Sequence, residues 1–290
     1  DLIVVGGGPA GYVGSIRAAQ LGMKVACVDK RKTLGGTCLN VGCIPSKALL
    51  NISEKFSEIL SGKMDSLGIK LSSPKLDLDS MMSKKSEIVS SLTNGIDYLM
   101  KKNKITRLEG IATIIDPNTI KVNNENKTTN YLTEKILIAT GSIPTSLPNV
   151  EIDEKKIVSS TGALEFSKVP EKLIVIGAGY IGLEMGTVWS RLGSKVEIIE
   201  YLPRILPGMD LELANNFEKI IKKQGLEINL NTAVKSAKSN SKGVILKVIN
   251  NNTKEEKEIN CDIALVSVGR KPNIENLGLD KLKINLSSSG

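Results

Sequence analysis

The chain has 290 residues, enough for about two domains, and its apolar content of 41% is sufficient for a hydrophobic core. Only 3% of the residues are aromatic, which argues against a stacking surface for single-stranded nucleic acid. The formal charge of +8 comes from 39 basic and 31 acidic residues dispersed along the chain, which we interpret as a coding bias toward Lys and Asn, with weak attraction to anionic partners as the lesser alternative. No apolar run reaches the length of a membrane span and no signal peptide is recognisable, so we expect a soluble, intracellular protein that binds neither nucleic acid nor membranes.

The first secondary-structure elements predicted along the chain form a nucleotide-binding βαβ unit. An apolar strand at 2–5 leads into a turn in which Gly6 bends the chain, Gly8 lets a pyrophosphate approach, and Gly11 lets the helix pack on the strand. The helix N-terminus can then bind phosphate through its free N–H groups. A second strand ends at Asp29, eighteen residues beyond Gly11, where a carboxylate can accept hydrogen bonds from ribose hydroxyls. Alone, such a fingerprint is also compatible with an ordinary tight turn.

Two cysteines follow in the run GGTCLNVGCIPSK at 35–47. Four residues separate Cys38 from Cys43, and Lys47 lies about one helical turn beyond Cys43. A disulfide across so short a loop would hardly constrain the unfolded chain, so it would be a bridge that opens and closes. The other interpretations are a metal pair or two unrelated buried thiols, and the absence of histidine disfavours a zinc site. Cys27 and Cys261 lie in apolar runs that are typical of strand cores.

Further elements follow in chain order. A helix starts near Cys43, with Pro45 in its first turn and Cys38 in the preceding loop. The pattern then predicts a helix over 80–102 with Asp79 as its cap, and a turn at 116–118. Prolines at 144 and 148 mark a linker and the change of domain. The predicted helix continuation and strands are 46–59, 105–108, 111–115, 119–122 and a buried strand over 136–142 that ends in a small polar turn.

A second copy of the first unit starts at Lys172. Residues 172–201 align without a gap on residues 1–30, at a constant offset of 171, and ten positions are identical. Gly177, Gly179 and Gly182 repeat the glycine turn, and Glu200 repeats the acidic position at the end of the second strand. Two fingerprints in register, each with its acidic residue, favour two nucleotide sites over two ordinary tight turns.

The cysteine segment closely resembles the active-site segment of the flavin disulfide reductases, the pyridine nucleotide-disulfide oxidoreductase family. Leu39 and Ser46 make it most similar to the members that oxidise dihydrolipoamide. The resemblance covers essentially the whole chain and implies an α/β fold of two Rossmann-like dinucleotide-binding domains, with the C-terminal dimerisation domain absent. It implies an FAD-binding domain with the redox disulfide at 1–143, an NAD-binding domain at 144–272, and at 273–290 the truncated start of a return to the FAD and central domain.

The resemblance assigns the redox disulfide to Cys38 and Cys43. Cys43 would start a helix, where negative charge on sulfur is favoured, so it is expected to face the flavin while Cys38 meets the substrate. Lys47 and Glu184 are expected to form an ion pair beside the flavin and complete the catalytic set. Tyr180 is expected to cover the flavin as a displaceable lid; the other interpretation is a half-buried tyrosine that packs the domain interface.

The same resemblance supplies the expected cofactor contacts, and no metal site is expected. Glu200 favours NAD over NADP, because it would repel a 2′-phosphate, whereas Arg204 would favour NADP if it were more than a solvated loop charge. On the FAD side we expect Gly6, Gly8, Gly11, Asp29, Gly36, Thr37, Lys47, Ala112, Thr140, Gly141 and Ser142. On the NAD side we expect Gly177, Gly179, Tyr180, Ile181, Gly182, Glu184, Glu200, Val234, Gly269 and Arg270.

The reaction implied by the resemblance is oxidation of dihydrolipoamide to lipoamide with reduction of NAD through FAD. The substrate would arrive on the lipoyl domain of an acyltransferase of a 2-oxoacid dehydrogenase complex or on the glycine-cleavage carrier protein. The family's His–Glu base and dimerisation domain are expected beyond residue 290, so the full-length protein would be a homodimer and this chain alone inactive. The expected location is the cytoplasm in a bacterium or the mitochondrial matrix in a eukaryote. The alternatives are an NADPH-dependent disulfide or metal reductase of the same family and an inert nucleotide-binding fragment.

Overall fold

The computed structural model describes residues 1–125, 127–288 and 290. The chain forms two compact units: unit 1 comprises 1–45, 86–143 and 270–290, and unit 2 comprises 46–85 and 144–269. In chain order the elements are β1 (Leu2–Val5), α1 (Pro9–Gln20), β2 (Val25–Asp29), α2 (Gly36–Val41), α3 (Cys43–Leu60), α4 (Lys63–Ser66), α5 (Leu78–Lys102), β3 (Thr106–Glu109), β4 (Ile111–Asp116), β5 (Thr119–Asn124), β6 (Lys127–Leu132), β7 (Lys135–Ile138), β8 (Ser142–Pro144), β9 (Ile157–Val158), α6 (Ser160–Ala163), β10 (Lys172–Ile176), α7 (Tyr180–Arg191), β11 (Lys195–Ile199), α8 (Leu211–Lys223), β12 (Glu227–Asn229), β13 (Thr232–Asn240), β14 (Gly243–Asn250), β15 (Glu256–Cys261), β16 (Ile263–Val266), β17 (Arg270–Pro272) and a 3₁₀ helix (Leu279–Leu282).

Unit 1 is built on a four-stranded parallel sheet in the order β3-β2-β1-β7. The short β-branched runs of β1 and β2 form its centre, and Val4 and Cys27 are fully buried there. An antiparallel sheet, β4-β5-β6, packs its buried residues Ile114 and Ile120 against Ile3. Since the strands of a parallel sheet end at the same edge, the turns after β1, β2 and β7 meet there.

Unit 2 repeats this plan with a five-stranded parallel sheet in the order β12-β11-β10-β16-β9. An antiparallel sheet, β13-β14-β15, accompanies it. Trp189 of α7 is fully buried, its ring lies 4.8 Å from that of Phe166 at a tilt of 42°, and its indole N–H donates to the Ala163 carbonyl. The α/β class expected from the sequence is therefore present in both units.

Residues 46–85 lie in unit 2, although the sequence placed them in a first domain ending at 143. Leu49 of α3 and Met81 of α5 are buried in the same hydrophobic cluster as Trp189. Burial of these apolar side chains against α7 attaches the segment to unit 2, and this long-range packing has no local signature in the sequence.

Two local expectations differ from the structure. Helix α5 starts earlier than expected, and its cap is Asp77, which accepts hydrogen bonds from the Ser80 N–H at 2.9 Å and the Ser80 hydroxyl at 2.7 Å; Asp79 lies inside the helix. The strand expected to be buried, β7, is the edge strand of its sheet, and Leu137 and Ile138 are 38% and 37% exposed. Apolarity alone does not distinguish a central strand from an edge strand. No helix in the described part of the chain combines the length and apolarity needed to cross a membrane.

Candidate active site and nucleotide-binding turns

The first glycine turn follows β1 in unit 1. Gly6 has φ +104°, a left-handed conformation, and a Cβ there would collide with the carbonyl oxygen of Ala139 at the end of β7. A Cβ on Gly11 would collide with the Gly6 carbonyl oxygen, so α1 can approach the turn only without one. Among the described side chains none caps the α1 N-terminus at Gly8. The N–H groups of the first turn of α1 are therefore left for an anion.

Asp29 holds this turn from the end of β2. Its Oδ2 accepts the Gly7 N–H at 2.7 Å, and its Oδ1 accepts the Arg31 N–H at 2.8 Å. The carboxylate therefore braces the turn, and each oxygen keeps a lone pair for a further donor such as a ribose hydroxyl.

The second turn reproduces the first one in unit 2. Gly177 has φ +102°, and a Cβ on it would lie 2.6 Å from the Ser267 carbonyl oxygen at the end of β16. Gly182 packs on the Gly177 carbonyl, and a Cβ on Gly179, the N-cap of α7, would meet only open space. Here too no described side chain caps the helix. The second glycine turn therefore leaves room for a phosphate to approach the backbone closely.

Glu200 makes the same contacts as Asp29, shifted by the repeat. Its Oε2 accepts the Ala178 N–H at 2.6 Å and its Oε1 the Leu202 N–H at 2.8 Å, and its side chain is buried. Arg204, the residue that could have favoured NADP, donates instead to the carbonyl oxygens of Pro207 and Met209. Its guanidinium is therefore engaged within its own loop.

The two expected redox cysteines lie on successive helices. Cys43 is the first residue of α3, which agrees with the helix start predicted from Pro45. The side chain of Cys43 is exposed. Cys38, expected in a loop, lies within α2 and is half-buried. The glycines that flank this six-residue helix hid it from the sequence pattern, because glycine is a poor helix former.

The redox segment is attached directly to the first glycine turn. The Gly35 N–H donates to the Gly7 carbonyl at 2.8 Å, and a Cβ on Gly36 would lie 2.5 Å from the Cα of Gly8. Gly35 and Gly36 both have positive φ, +104° and +57°. Thr37 packs against Gly42 at the far end of α2, where a Cβ would lie 2.9 Å from the Thr37 carbonyl oxygen. The backbone contacts thus bring Gly36 to the turn that holds Gly6, Gly8 and Gly11.

Lys47 and Glu184 are in contact within unit 2, as the sequence predicted. Lys47 Nζ lies 2.6 Å from Glu184 Oε1. Ser46, which the sequence did not single out for this pair, donates its hydroxyl to Glu184 Oε2 at 2.5 Å and is buried. No spacing rule could have found this hydrogen bond, since its partners lie 138 residues apart.

The polar turn after β7 is held by the segment that starts at β17. The Arg270 guanidinium donates from Nε to Ser142 Oγ at 2.8 Å and from a terminal nitrogen to the Ser142 carbonyl at 2.6 Å. Asn273 donates its backbone N–H to the Gly141 carbonyl at 2.9 Å and its amide to the Thr140 carbonyl at 3.3 Å. The structure therefore brings Thr140, Gly141, Ser142 and Arg270 together in unit 1.

The remaining expected site residues lie outside the groups of contacts described above. Tyr180 is the first residue of α7 and is 65% exposed, and Ile181 follows it at intermediate exposure. Ala112 is buried in β4. Val234 lies beside a bulge in β13, and Gly269, with φ +122°, accepts the Thr145 N–H through its carbonyl at 3.0 Å.

The other two cysteines are buried strand residues, as their apolar neighbours predict. Burial raises the pKa of Cys27 to about 11 and the pKa of Cys261 to about 12. Their thiols therefore stay protonated at neutral pH. Across the described residues no cluster of cysteine and carboxylate side chains is arranged to hold a metal ion.

Comparison with known proteins agrees with this geometry. Residues 1–290 match the family described as pyridine nucleotide-disulphide oxidoreductase. The chain is 48% identical over 291 residues to the mitochondrial dihydrolipoyl dehydrogenase of Pisum sativum and 49% identical over 294 residues to that of Bos taurus, covering 100% of this chain and 58% of each relative. A Cu(II) complex of an HOCl-induced flavoprotein disulfide reductase from Escherichia coli has a TM-score of 0.85 at 27% identity, over 100% of this chain and 61% of that one. The chain thus spans about 58% of the length of these curated relatives.

Proposed function

Because the chain belongs to the pyridine nucleotide-disulphide oxidoreductase family, we propose that it carries the flavin, nicotinamide and dithiol sites of a dihydrolipoamide-oxidising enzyme. The observation that carries the proposal is the attachment of the cysteine-bearing segment to the first glycine turn, through the Gly35–Gly7 hydrogen bond of 2.8 Å. A dithiol held beside a dinucleotide turn is suited to passing electrons to the bound cofactor. The relatives named dihydrolipoyl dehydrogenase, at 48% and 49% identity, support the choice of substrate.

Both turns fit the dinucleotides that we assign to them. The uncapped N-termini of α1 and α7 and the Cβ-free approach at Gly8 and Gly179 suit a pyrophosphate. We assign FAD to the turn that contacts the redox segment and NAD to the turn braced by Glu200. A buried carboxylate at the ribose disfavours a 2′-phosphate, so NAD is preferred over NADP.

Each residue of the site has a separate part in the proposed reaction. Cys38 meets the reduced substrate, and Cys43, at the N-terminus of α3, holds the negative charge of the second sulfur. FAD, held by the turn of Gly6, Gly8 and Gly11, would supply the two-electron chemistry that links the dithiol to the nicotinamide. Lys47, paired with Glu184, would supply positive charge to the flavin. The chain contains no histidine, so the residues of this chain do not include the His–Glu base that the resemblance to the family implies.

The substrate and partners follow from the same proposal. Dihydrolipoamide would be presented by the lipoyl domain of an acyltransferase or by the glycine-cleavage carrier protein. The complete enzyme would be a homodimer, located in the mitochondrial matrix of a eukaryote or the cytoplasm of a bacterium. The relatives from Pisum sativum and Bos taurus are mitochondrial dihydrolipoyl dehydrogenases, which supports the matrix location if the source is a eukaryote.

One specific observation favours a second candidate within the family. The similar Escherichia coli structure is a flavoprotein disulfide reductase in complex with Cu(II), so an NADPH-dependent disulfide or metal reductase is the alternative function. The rates at which NADH and NADPH reduce the bound flavin distinguish this alternative from the dihydrolipoamide-oxidising enzyme. An inert nucleotide-binding fragment would give neither reaction.

The proposal is tested with the purified chain, added FAD and anaerobic stopped-flow spectroscopy. We expect NADH to bleach the flavin absorbance at least about tenfold faster than NADPH does, and to convert a Cys38–Cys43 disulfide into two titratable thiols. Cys43→Ser should retain bleaching but lose the additional thiols. Steady oxidation of dihydrolipoamide should be slower than in a full-length relative by a factor on the order of a hundred to ten thousand, which is what a positioned base contributes. A yellow chain whose flavin ignores both nucleotides would refute the proposal.

A further inference from the structure

We propose that Asn40 is a positioning residue for the Cys38–Cys43 couple, an inference that rests on the function proposed above. Asn40 lies in α2 two residues after Cys38. Its amide nitrogen donates to the Gly36 carbonyl at 2.9 Å and to the Leu34 carbonyl at 3.2 Å. Its amide oxygen accepts the Thr33 hydroxyl at 2.6 Å. One side chain thus ties the helix that carries Cys38 to the loop that enters it.

Helix α2 needs such a tie because it is too short to be stable alone. It has six residues, and isolated helices much longer than this are marginal in water. Gly35 precedes it in a left-handed conformation and Gly42 follows it, so both flanks have the conformational freedom of glycine. Leu39, buried on one face, is the apolar anchor of the helix. Asn40 adds a polar anchor that bridges the helix and the chain before it.

The Asn40 hydrogen bonds affect the dithiol–disulfide equilibrium because they limit the conformational freedom of the helix that carries Cys38. When the couple closes, Cys38 and Cys43 lose two electrons and two protons and an S–S bond forms. With glutathione as oxidant, the S–S bond of oxidised glutathione breaks and two glutathione thiols appear. If α2 is held in one place, little conformational entropy is lost on closure, whereas a loosened α2 loses more. Loss of Asn40 therefore shifts the couple towards the dithiol.

The size of the shift depends on how much more freedom α2 gains in the dithiol than in the disulfide once Asn40 is removed. We expect the closing equilibrium to change by about tenfold. For a two-electron couple, a tenfold change corresponds to about 30 mV.

The experiment equilibrates the purified chain, with added FAD, in glutathione buffers, quenches it with acid, and counts Cys38 and Cys43 thiols by mass labelling of their peptides. The variants are Asn40→Ala and Thr33→Val, which removes only the hydroxyl that bonds to Asn40. Asn103→Ala is the matched control, because Asn103 also donates its amide to the carbonyl four residues earlier, that of Leu99, at 2.8 Å, but in α5. We expect shifts towards the dithiol of about tenfold and about threefold for the first two variants, and less than about 1.5-fold for the control.

The outcomes separate this inference from the proposed function. Wild-type equilibrium in folded Asn40→Ala, or an equal shift in Asn103→Ala, would overturn the positioning role while leaving the redox couple intact. A wild-type pair that forms no disulfide in any buffer would overturn the proposed function and the inference together. If Asn40→Ala does not fold, Thr33→Val decides, since an unchanged equilibrium in that variant contradicts the proposal.

Discussion

Ser46 donates a hydrogen bond of 2.5 Å to Oε2 of Glu184, the carboxylate whose Oε1 pairs with Lys47. Ser46 is 5% exposed, whereas the Lys47 side chain is 58% exposed. An exposed ion pair is screened by water and contributes little, so the buried hydroxyl is the stronger constraint on the carboxylate. The orientation of Glu184, and through it that of Lys47, depends on a residue with no charge.

Ser46→Ala should therefore destabilise unit 2 more than loss of an ordinary surface hydroxyl. A hydrogen bond to a charged group is worth about 1.5–3 kcal/mol, and we expect a loss of that order in the free energy of unfolding measured in urea. Ser61→Ala is the control, because the exposed Ser61 hydroxyl also donates a hydrogen bond, to the Glu58 carbonyl. Equal stability of the two variants would contradict the role given to Ser46.

Glu200→Gln should weaken NADH binding and also loosen the second glycine turn. One oxygen of the acceptor pair becomes an NH₂ group that faces a backbone N–H, either that of Ala178 or that of Leu202. We expect about a tenfold rise in the dissociation constant for NADH, measured by fluorescence titration, with little change for NADPH. Glu227→Gln, which alters an exposed carboxylate paired with Lys195, should leave both constants unchanged.

The four cysteines should separate into two classes by reactivity. At pH 8 iodoacetamide should label Cys38 and Cys43 in the folded reduced chain and spare Cys27 and Cys261, whose raised pKa values of about 11 and about 12 keep them protonated. Peptide mass spectrometry checks this, with urea-unfolded chain as the fully labelled reference.

The same two thiols predict a pH dependence of stability. Their folded pKa values lie above the ordinary value of 9.0, so the unfolded chain ionises first as pH rises. Their contribution is complete below about pH 9 and is lost as pH rises towards about 12. Urea midpoints of wild type should therefore fall more steeply over this range than those of a Cys27→Ala variant.

Asp77→Ala, which removes the cap of α5, should lower the urea midpoint for unfolding of the chain, whereas Asp79→Ala should not. The Ser80 N–H and hydroxyl bind the Asp77 carboxylate and hold its pKa below its ordinary value of 3.8. That stabilisation is present above pH 3.8 and is lost as pH falls below it, so the two variants should converge in acid. Circular dichroism across the pH range measures this, and a persistent difference in acid would contradict the capping role.

Tyr180→Ala should raise the affinity for NADH and expose bound flavin to iodide quenching, if Tyr180 covers the nicotinamide position. The exposed position of Tyr180 at the start of α7 motivates this prediction, since a displaceable ring must be free to move. Tyr98→Ala is the control, because Tyr98 is similarly exposed, at 63%. No change in either measurement would show that Tyr180 is not a lid.

Much of the fold could be predicted because its signals are local or repeated. The glycine turns, the strands before them and the acidic residues Asp29 and Glu200 recur at one offset, and two register-matched signals reinforce each other. The start of α3 at Cys43 was marked by Pro45. The missed features depend on distant contacts: the packing of Leu49 and Met81 around Trp189, and the hydrogen bond from Ser46 to Glu184. The α2 helix was missed because its flanking glycines suggest a loop.

The double engagement of Glu200 bears on any attempt to redesign the nucleotide preference. Both of its oxygens already bind backbone N–H groups of the turn and the following loop, so exchanging Glu200 for a neutral or basic residue alters the turn as well as the charge. A variant made in this way would lose cofactor affinity before it gained a new preference. Positive charge for a 2′-phosphate would have to be introduced around Glu200, with the acid itself retained.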